Sequence, residues 1–503
     1  MAKLHGSLAS REFWYENITL IPNRLPDFER NLVDLTSCAT KRVSLKTPFL
    51  SSPMDTVTSS SMAKLMALMG GLGVIHYNFP TIEEQIREAE LVKRFEAAFV
   101  SNPIVLSPNH NVGDVYAIAA TYGFYSVPIT EDGTLQTKMI GLVTHRNVRY
   151  QEDMSTVLGT VMTPADKLIT AHRRETLDAN DVRTANKIIR AANLDTLPIV
   201  DDDFRVVALV TDSDLRKDED YPLATKDSNK RLVVFIAVES RLKLARERIG
   251  KAYDVGVDGI VVDASVVFRE QLEIARFCRK EFPALEIILG NVDSAEMVRA
   301  IITEASEYCD GLRVGIGPGS ACKTQDELGT GRAQASAVWD CSQEARRLTA
   351  QYGYMPIIAD GGIIIPDGSG KTDVSRIGDI SKALALGADT VMMGGLLAGL
   401  DESPGEKEFD EDTNRMVKAY RGMGSLEAMA SRSGVRYGYG VEARKMIRIA
   451  EGFVTKVPYR GSGYDFIPRL IAGTQQSLQK QGFRSIPEMQ ESADIRPMPR
   501  RKR

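Results

Sequence analysis

The chain has only five cysteines in 503 residues (Cys38, Cys278, Cys309, Cys322 and Cys341), and no two form a Cys-x-x-Cys pair. A disulfide scaffold is therefore not expected. No signal-peptide pattern is visible at the start, and no Ser-Lys-Leu address at the end, so the expected location is cytoplasmic. No apolar run approaches the roughly 18 residues that a membrane helix needs, so no membrane partner is expected. Strong charge of one sign is also lacking. The 63 basic and 67 acidic residues give a formal net charge of -4, and nothing global argues for a nucleic-acid partner. The basic end Pro499-Arg-Arg-Lys-Arg503 reads as a solvated tail. Charged residues make up 26% and hydrophobic residues 43%, an ordinary globular balance. Five hundred residues exceed one core, so two or more domains are expected.

What is present centres on residues 313–334, where Gly315, Gly317 and Gly319 precede Ser320, Cys322 and Thr324. Glycine lets a backbone turn through positive φ and lets a ligand approach closely. A cysteine ending such a loop can be held against a flat ligand, where its thiolate is the nucleophile. Thr324 is near enough in sequence to touch the same ligand atom.

The flanking sequence alternates apolar runs with helical patterns. Lys46–Leu50 and Val74–His76 read as strands around a helical stretch from Ser59 to Met69. Leu232–Ala237, Gly259–Asp263, Glu286–Asn291, Gly311–Gly315, Pro356–Asp360 and Thr390–Gly394 are six further β-rich runs. With two or three strands from the N-terminal part the count is about eight. Nearly every run ends in Asp, Asn or Gly. Polar ends all round, rather than at one switch point, favour a closed (β/α)8 TIM barrel over an open doubly wound sheet. Asp360-Gly361-Gly362 and Met393-Gly394-Gly395 then end neighbouring strands and read as a phosphate site, with Asp360 able to accept from a ribose diol. Tyr420-Arg-Gly-Met-Gly-Ser425 adds another glycine turn. The basic, glycine-punctuated stretch after it, about 425–450, reads as a mobile flap.

Residues 95–222 differ and contain a repeat. Ser126-Val-Pro-Ile129 recurs as Thr196-Leu-Pro-Ile199, and Gly141–Arg149 recurs as Ala208–Arg216. Two such units in tandem are expected to pack on each other. They resemble a pair of CBS modules, so the fold class expected is an α/β TIM barrel with an inserted tandem CBS (Bateman) domain. The barrel is assigned to 1–94 and 223–503. The resemblance implies a purine nucleotide held at Thr211 and Asp214 of the second copy. Asn147 replaces the matching aspartate in the first.

Several long, ordered motifs are similar to those of the IMP dehydrogenase/GMP reductase family. They are Ser52-Pro-Met-Asp-Thr-Val57, Gly71-Leu-Gly-Val-Ile-His76, Gly290-Asn-Val292, Val314 through Thr324, Ala359-Asp-Gly-Gly-Ile363, Glu402-Ser-Pro-Gly-Glu406 and Tyr420 to Ser425. The resemblance implies NAD-dependent oxidation of IMP to XMP, with Cys322 attacking C2 of the purine and hydride passing to the nicotinamide. The resulting thioimidate is hydrolysed by water that Arg436, partnered by Tyr437, activates. Thr324 positions that water, and Glu451 holds the purine N1 side. Ser52, Met54, Arg313, Ser320, Asp360, Gly361, Gly362, Gly394, Gly395, Tyr420, Gly422, Met423 and Gly424 are expected to bind IMP. Asp263, Asn291, Gly315 and Gly317 are expected to lie along NAD. Carbonyls of Gly317, Gly319 and Cys322 are expected to hold a potassium ion. A homotetramer is expected, with an octamer formed through the CBS pair as a further assembly.

The sequence departs from the family in four places. Asp263-Ala264-Ser265 stands where Asp-Ser-Ser is usual. Gly394-Gly395 replaces a Gly-Ser pair, a change typical of the reductases. The C-terminal Glu-Gly-Gly segment that completes the potassium site does not follow Gln490. Residues 364–376 are an insertion of unread purpose. The alternative activity is NADPH-dependent reduction of GMP to IMP and ammonia. Arg436-Tyr437 and Tyr77-Asn78 favour the dehydrogenase. A nucleotide sensor with an inactive barrel is the third reading, opposed by the intact Cys322 and Thr324.

Overall fold

The computed structural model describes residues 3–4, 12–95, 100–101, 103–176, 178, 182–211, 220–363, 377–430 and 449–498. The chain divides into two compact units, one drawn from 1–93, 223–225 and 232–503, the other from 94–222 and 226–231.

The larger unit is a closed barrel of eight parallel strands. In chain order they are β1 (Phe49–Ser51), β2 (Leu72–Ile75), β3 (Val234–Glu239), β4 (Gly259–Asp263), β5 (Glu286–Val292), β6 (Gly311–Val314), β7 (Ile357–Asp360) and β8 (Thr390–Met393). The ring closes where Val391, Met392 and Met393 pair with Phe49, Leu50 and Ser51. The expected (β/α)8 barrel is thus observed, with two strands from the N-terminal part and six from the C-terminal part.

The sequence makes this ring because both strand faces are covered. Ile287-Ile288-Leu289 and Ile260-Val261-Val262 are wholly buried, as parallel strands under helices require. One side chain in two points inward. Leu50, Val74, Phe235, Val261, Ile288, Ile358 and Met392 belong to one apolar cluster filling the barrel. The helices Ser60–Leu68, Ile82–Lys93, Leu242–Asp254, Arg269–Glu281, Ala295–Ala305, Gln334–Tyr352, Ile377–Ala385 and Gly463–Gln481 follow successive strands. Among the described residues no helix is long and apolar enough to cross a membrane.

The smaller unit carries the repeat as two antiparallel strand pairs, Val127–Thr130 with Met139–Val143 and Thr196–Val200 with Val206–Thr211. The two copies share a cluster of Met139, Val200, Val206 and Leu209. Ser126 Oγ and Thr196 Oγ1, at matching repeat positions, are 2.7 Å apart.

Candidate active site

The C-terminal ends of the strands open into a cleft lined by Ser52, Met54, Asn291, Arg313, Cys322, Asp360, Tyr420 and Glu451, among others. Cys322 stands on the loop after β6 and is partly exposed, whereas Cys278, Cys309 and Cys341 are buried. Burial pushes those three thiols well above their ordinary range, which leaves them inert.

The cysteine loop is shaped by close backbone contacts. Gly315 has φ +140°, and a Cβ there would lie 2.4 Å from the Asp360 carbonyl. The loop is braced by two glutamines. Gln334, fully buried, donates to the carbonyls of Val314 (2.8 Å) and Asp360 (3.0 Å). Gln325 donates to the carbonyls of Ile316 and Arg332, both at 2.9 Å.

Residues 451–453 run beside the end of this loop. Lys323 N donates to Glu451 O at 2.7 Å, and Phe453 N to Ala321 O at 3.2 Å. That pairing brings the Glu451 side chain to Thr324. Thr324 Oγ1 donates to Glu451 Oε2 at 2.9 Å and lies 3.2 Å from Cys322 Sγ. Thiol, hydroxyl and carboxylate thus form a continuous hydrogen-bonded file, with Thr324 and Glu451 both buried. Such a file can carry a proton between the sulfur side of the cleft and the carboxylate.

The floor carries a buried charge system. Arg313 is 1% exposed and donates to the fully buried Asp263. Its Nε lies 3.7 Å from Asp360 Oδ2 and has no hydrogen-bond partner. Asn291 Nδ2 donates to Asp360 Oδ2 at 3.0 Å and to the Gly315 carbonyl at 2.5 Å, and Asn291 Oδ1 is buried without a partner. Buried polar atoms usually find partners, and these two are left open at the floor of the cleft.

A further part of the lining comes from Tyr420 and the turn after residues 415–421. Gly422 packs so tightly that a Cβ would meet the Ala321 carbonyl at 2.3 Å. The Tyr420 phenol is buried. Burial first, and the neighbouring Asp360 and Cys322, push its pKa up, opposed by a hydrogen bond with Ser320. Gly394 adjoins the same place, its Cβ direction facing Met54 Sδ, Tyr420 Oη and Ser52 Oγ.

His76, at the end of β2, is buried, and its Nδ1 accepts from the Asn78 N–H at 3.0 Å. Burial lowers its pKa to about 4. A depressed pKa means that stability is present above the unfolded value near 6.5 and is lost as pH falls toward 4. The shift corresponds to about 3 kcal/mol at most. Urea unfolding at pH 7 and pH 4.5 is expected to show that loss, and His76→Gln to reduce it.

The IMP dehydrogenase / GMP reductase domain matches residues 12–500. The chain belongs to the IMP dehydrogenase/GMP reductase family. It is similar to the inosine-5'-monophosphate dehydrogenase of Schizosaccharomyces pombe, 40% identical over 488 residues, covering 95% of this chain and 87% of that one. The Toxoplasma gondii enzyme of the same name is 42% identical over 427 residues, 84% of this chain and 71% of that one. In fold the chain is similar to a Trypanosoma brucei GMP reductase solved with guanosine 5'-monophosphate. That match has a TM-score of 0.83 and 29% identity, and covers 98% of this chain and 96% of that one.

The barrel gathers most of the site residues that the family resemblance implies. Ser52, Met54, Asn291, Arg313, Gly315, Gly317, Gly319, Cys322, Thr324, Asp360, Gly361, Tyr420, Gly422, Met423, Gly424 and Glu451 all line the cleft. Ser320 and Gly395 adjoin it through Tyr420. Gly362 lies behind it, against Gln334 and Tyr15. Asp263 is turned inward to Arg313, and Ser265, two residues on, lines the cleft. Arg436, Tyr437 and Asp214, the 364–376 insertion and most of the 425–450 flap lie outside the described residues. Gln325 and Gln334 were not singled out from sequence. Their only signal was their position within the glycine-rich stretch.

Proposed function

We propose that the protein oxidises IMP to XMP with NAD, through a covalent adduct on Cys322. The observation that carries this reading is the Cys322–Thr324–Glu451 file at the mouth of a cleft with unpaired polar atoms on its floor. Cys322 Sγ forms the bond to C2 of the purine, and hydride leaves C2. NAD supplies the acceptor for that hydride. Water then cleaves the C–S bond, giving XMP and restoring the thiol. Thr324 is placed to orient that water, and Glu451 to take its proton, alongside the roles expected of Arg436 and Tyr437.

The floor fits both ligands. Asn291 Oδ1 is left to accept from a hydroxyl or carboxamide, and Arg313 Nε to donate. Ser265 supplies the hydroxyl on the cofactor side, since Ala264 beside it is buried and has none. The cleft-lining loop also carries the three carbonyls expected at potassium, of Gly317, Gly319 and Cys322; that of Gly319 already accepts from Cys322 N at 2.9 Å.

In the smaller unit, Asn147 accepts from Thr144 N and Oγ1 and donates to the Val161 carbonyl. Its side chain is committed to these protein partners. A purine nucleotide is therefore assigned to the second copy of a CBS pair, at Thr211 and Asp214. A homotetramer in the cytoplasm is the assembly and location assigned with this reading.

The test mixes full-length protein with IMP and NAD⁺, or with GMP and NADPH, and follows reduced-nicotinamide absorbance. Growth with the first pair is expected. Decay with the second pair alone would establish the reductase, the reading that Gly394-Gly395 and the likeness to the trypanosomal structure favour. Glu451→Gln keeps the shape and removes the proton acceptor. It is expected to lower turnover about 10²-fold, as loss of a general base does, with nucleotide affinity held within a few-fold.

A further inference from the structure

We infer that Asp55 and Arg421, which no step above uses, form a clasp that sets the purine side of the cleft. Asp55 follows the Ser52–Met54 wall, and Arg421 immediately precedes the Gly422–Gly424 wall. The Arg421 guanidinium grips the Asp55 carboxylate with its Nε/Nη2 edge: Nε lies 3.0 and 3.1 Å from the two oxygens and Nη2 2.6 Å from Oδ2. The Asp55 side chain is 6% exposed and that of Arg421 33%. A planar fork on a carboxylate fixes distance and angle together.

Two further contacts join the same two segments. Arg421 N donates to Thr56 Oγ1 at 3.3 Å, and Tyr420 Oη lies 3.8 Å from Met54 Sδ. Asp55 is also held from behind. Asn78 Nδ2 donates to its Oδ2 at 2.6 Å, and the Asn78 backbone N–H is fixed by neutral His76. The carboxylate is therefore anchored to the end of β2, a rigid element, before Arg421 reaches it. Three chain segments, far apart in sequence, meet at this one carboxylate.

The two segments joined in this way, Ser52–Met54 and Gly422–Gly424, line the same cleft as Cys322. A base bound there is pressed between residues whose spacing the clasp decides. Asp55 and Arg421 touch no reacting atom and are positioning residues. A displacement of about 1 Å near the reacting atoms is enough to cost roughly 10²-fold in rate. The inference rests on the reading of the cleft as a purine-nucleotide site.

The experiment uses the full-length chain with Asp55→Asn, Arg421→Ala, Arg421→Lys and the Asp55→Asn/Arg421→Ala double variant. Titration calorimetry reads IMP affinity, steady-state kinetics reads KM and kcat for IMP and NAD separately, and thermal melts read stability. For Asp55→Asn and Arg421→Ala, IMP Kd and KM are expected to rise about tenfold or more, consistent with misplacement. The NAD KM should stay within about twofold, because Asn291, Gly315 and Gly317, expected along NAD, stand on β5 and on the loop after β6 rather than on the segments of Asp55 and Arg421. Arg421→Lys should recover part of the loss. The double variant should be no worse than the worse single, the sign of a coupled pair.

IMP affinity within twofold of wild type in both single variants would overturn the clasp. So would additive losses, or a parallel loss of NAD KM and melting temperature. A wild type that binds IMP but turns over only GMP with NADPH would overturn the oxidation reading alone. IMP affinity would still test the clasp.

Discussion

Cys322→Ala is expected to abolish turnover of IMP, by roughly 10³-fold or more, because no other group can form the covalent adduct. Among the described residues the other thiols are either buried, as Cys278, Cys309 and Cys341 are, or stand elsewhere, as Cys38 does beside Asp389. IMP affinity is expected to change by only a few-fold. The Arg313 floor and the Gly422–Gly424 wall do not depend on the sulfur. Calorimetry with IMP and a progress curve with NAD⁺ separate these two quantities. Intact-protein mass spectrometry of the wild type, quenched during turnover, should show an added nucleotide mass that the variant lacks. Retained turnover in Cys322→Ala would remove the covalent route.

The largest stability effect is expected at Asp263. Its carboxylate is fully buried against Arg313, itself 1% exposed. Removing one member of a buried pair leaves an uncompensated charge, at a cost of about 3–5 kcal/mol. Asp263→Ala should therefore lower the thermal midpoint markedly. Asp360, at 3.7 Å from Nε, offers Arg313 only partial compensation and would be drawn from its hydrogen bond with Asn291. The double variant Asp263→Leu/Arg313→Met should regain much of the stability, since apolar isosteres often replace a buried ion pair at little cost. It should not regain activity, because Arg313 lines the cleft. A single variant as stable as wild type would show that the pair is not the buried unit described above.

The strands were legible because a parallel strand under helices is apolar on both faces. Gly259–Asp263 was bounded correctly from sequence, and Glu286–Asn291 to within one residue. The misplaced ends have local causes. Lys46–Leu50 begins as a strand only after Pro48, at Phe49, since proline cannot donate to a ladder. Val74–His76 starts two residues earlier, at Leu72. Gly73 lies within the strand, and the covering helix packs so closely there that the Ala63 Cα would be 2.4 Å from a Cβ. The run expected over Leu232–Ala237 is a strand from Val234 that continues two residues further, to the acidic Glu239. Arg248 neutralises Glu239 from the next helix, with contacts of 2.8 and 2.7 Å.

Sequence alone determined the alternation of strand and helix, the inserted repeat, and the polar residues at the strand ends. These follow from periodicity and local chemistry, which act over a few residues. The tertiary structure decided which of those ends meet. Thr324 reaches Glu451 across 127 residues, and Arg421 reaches Asp55 across 366. Such pairings depend on the closure of the ring and the register of its loops, and no local pattern encodes them.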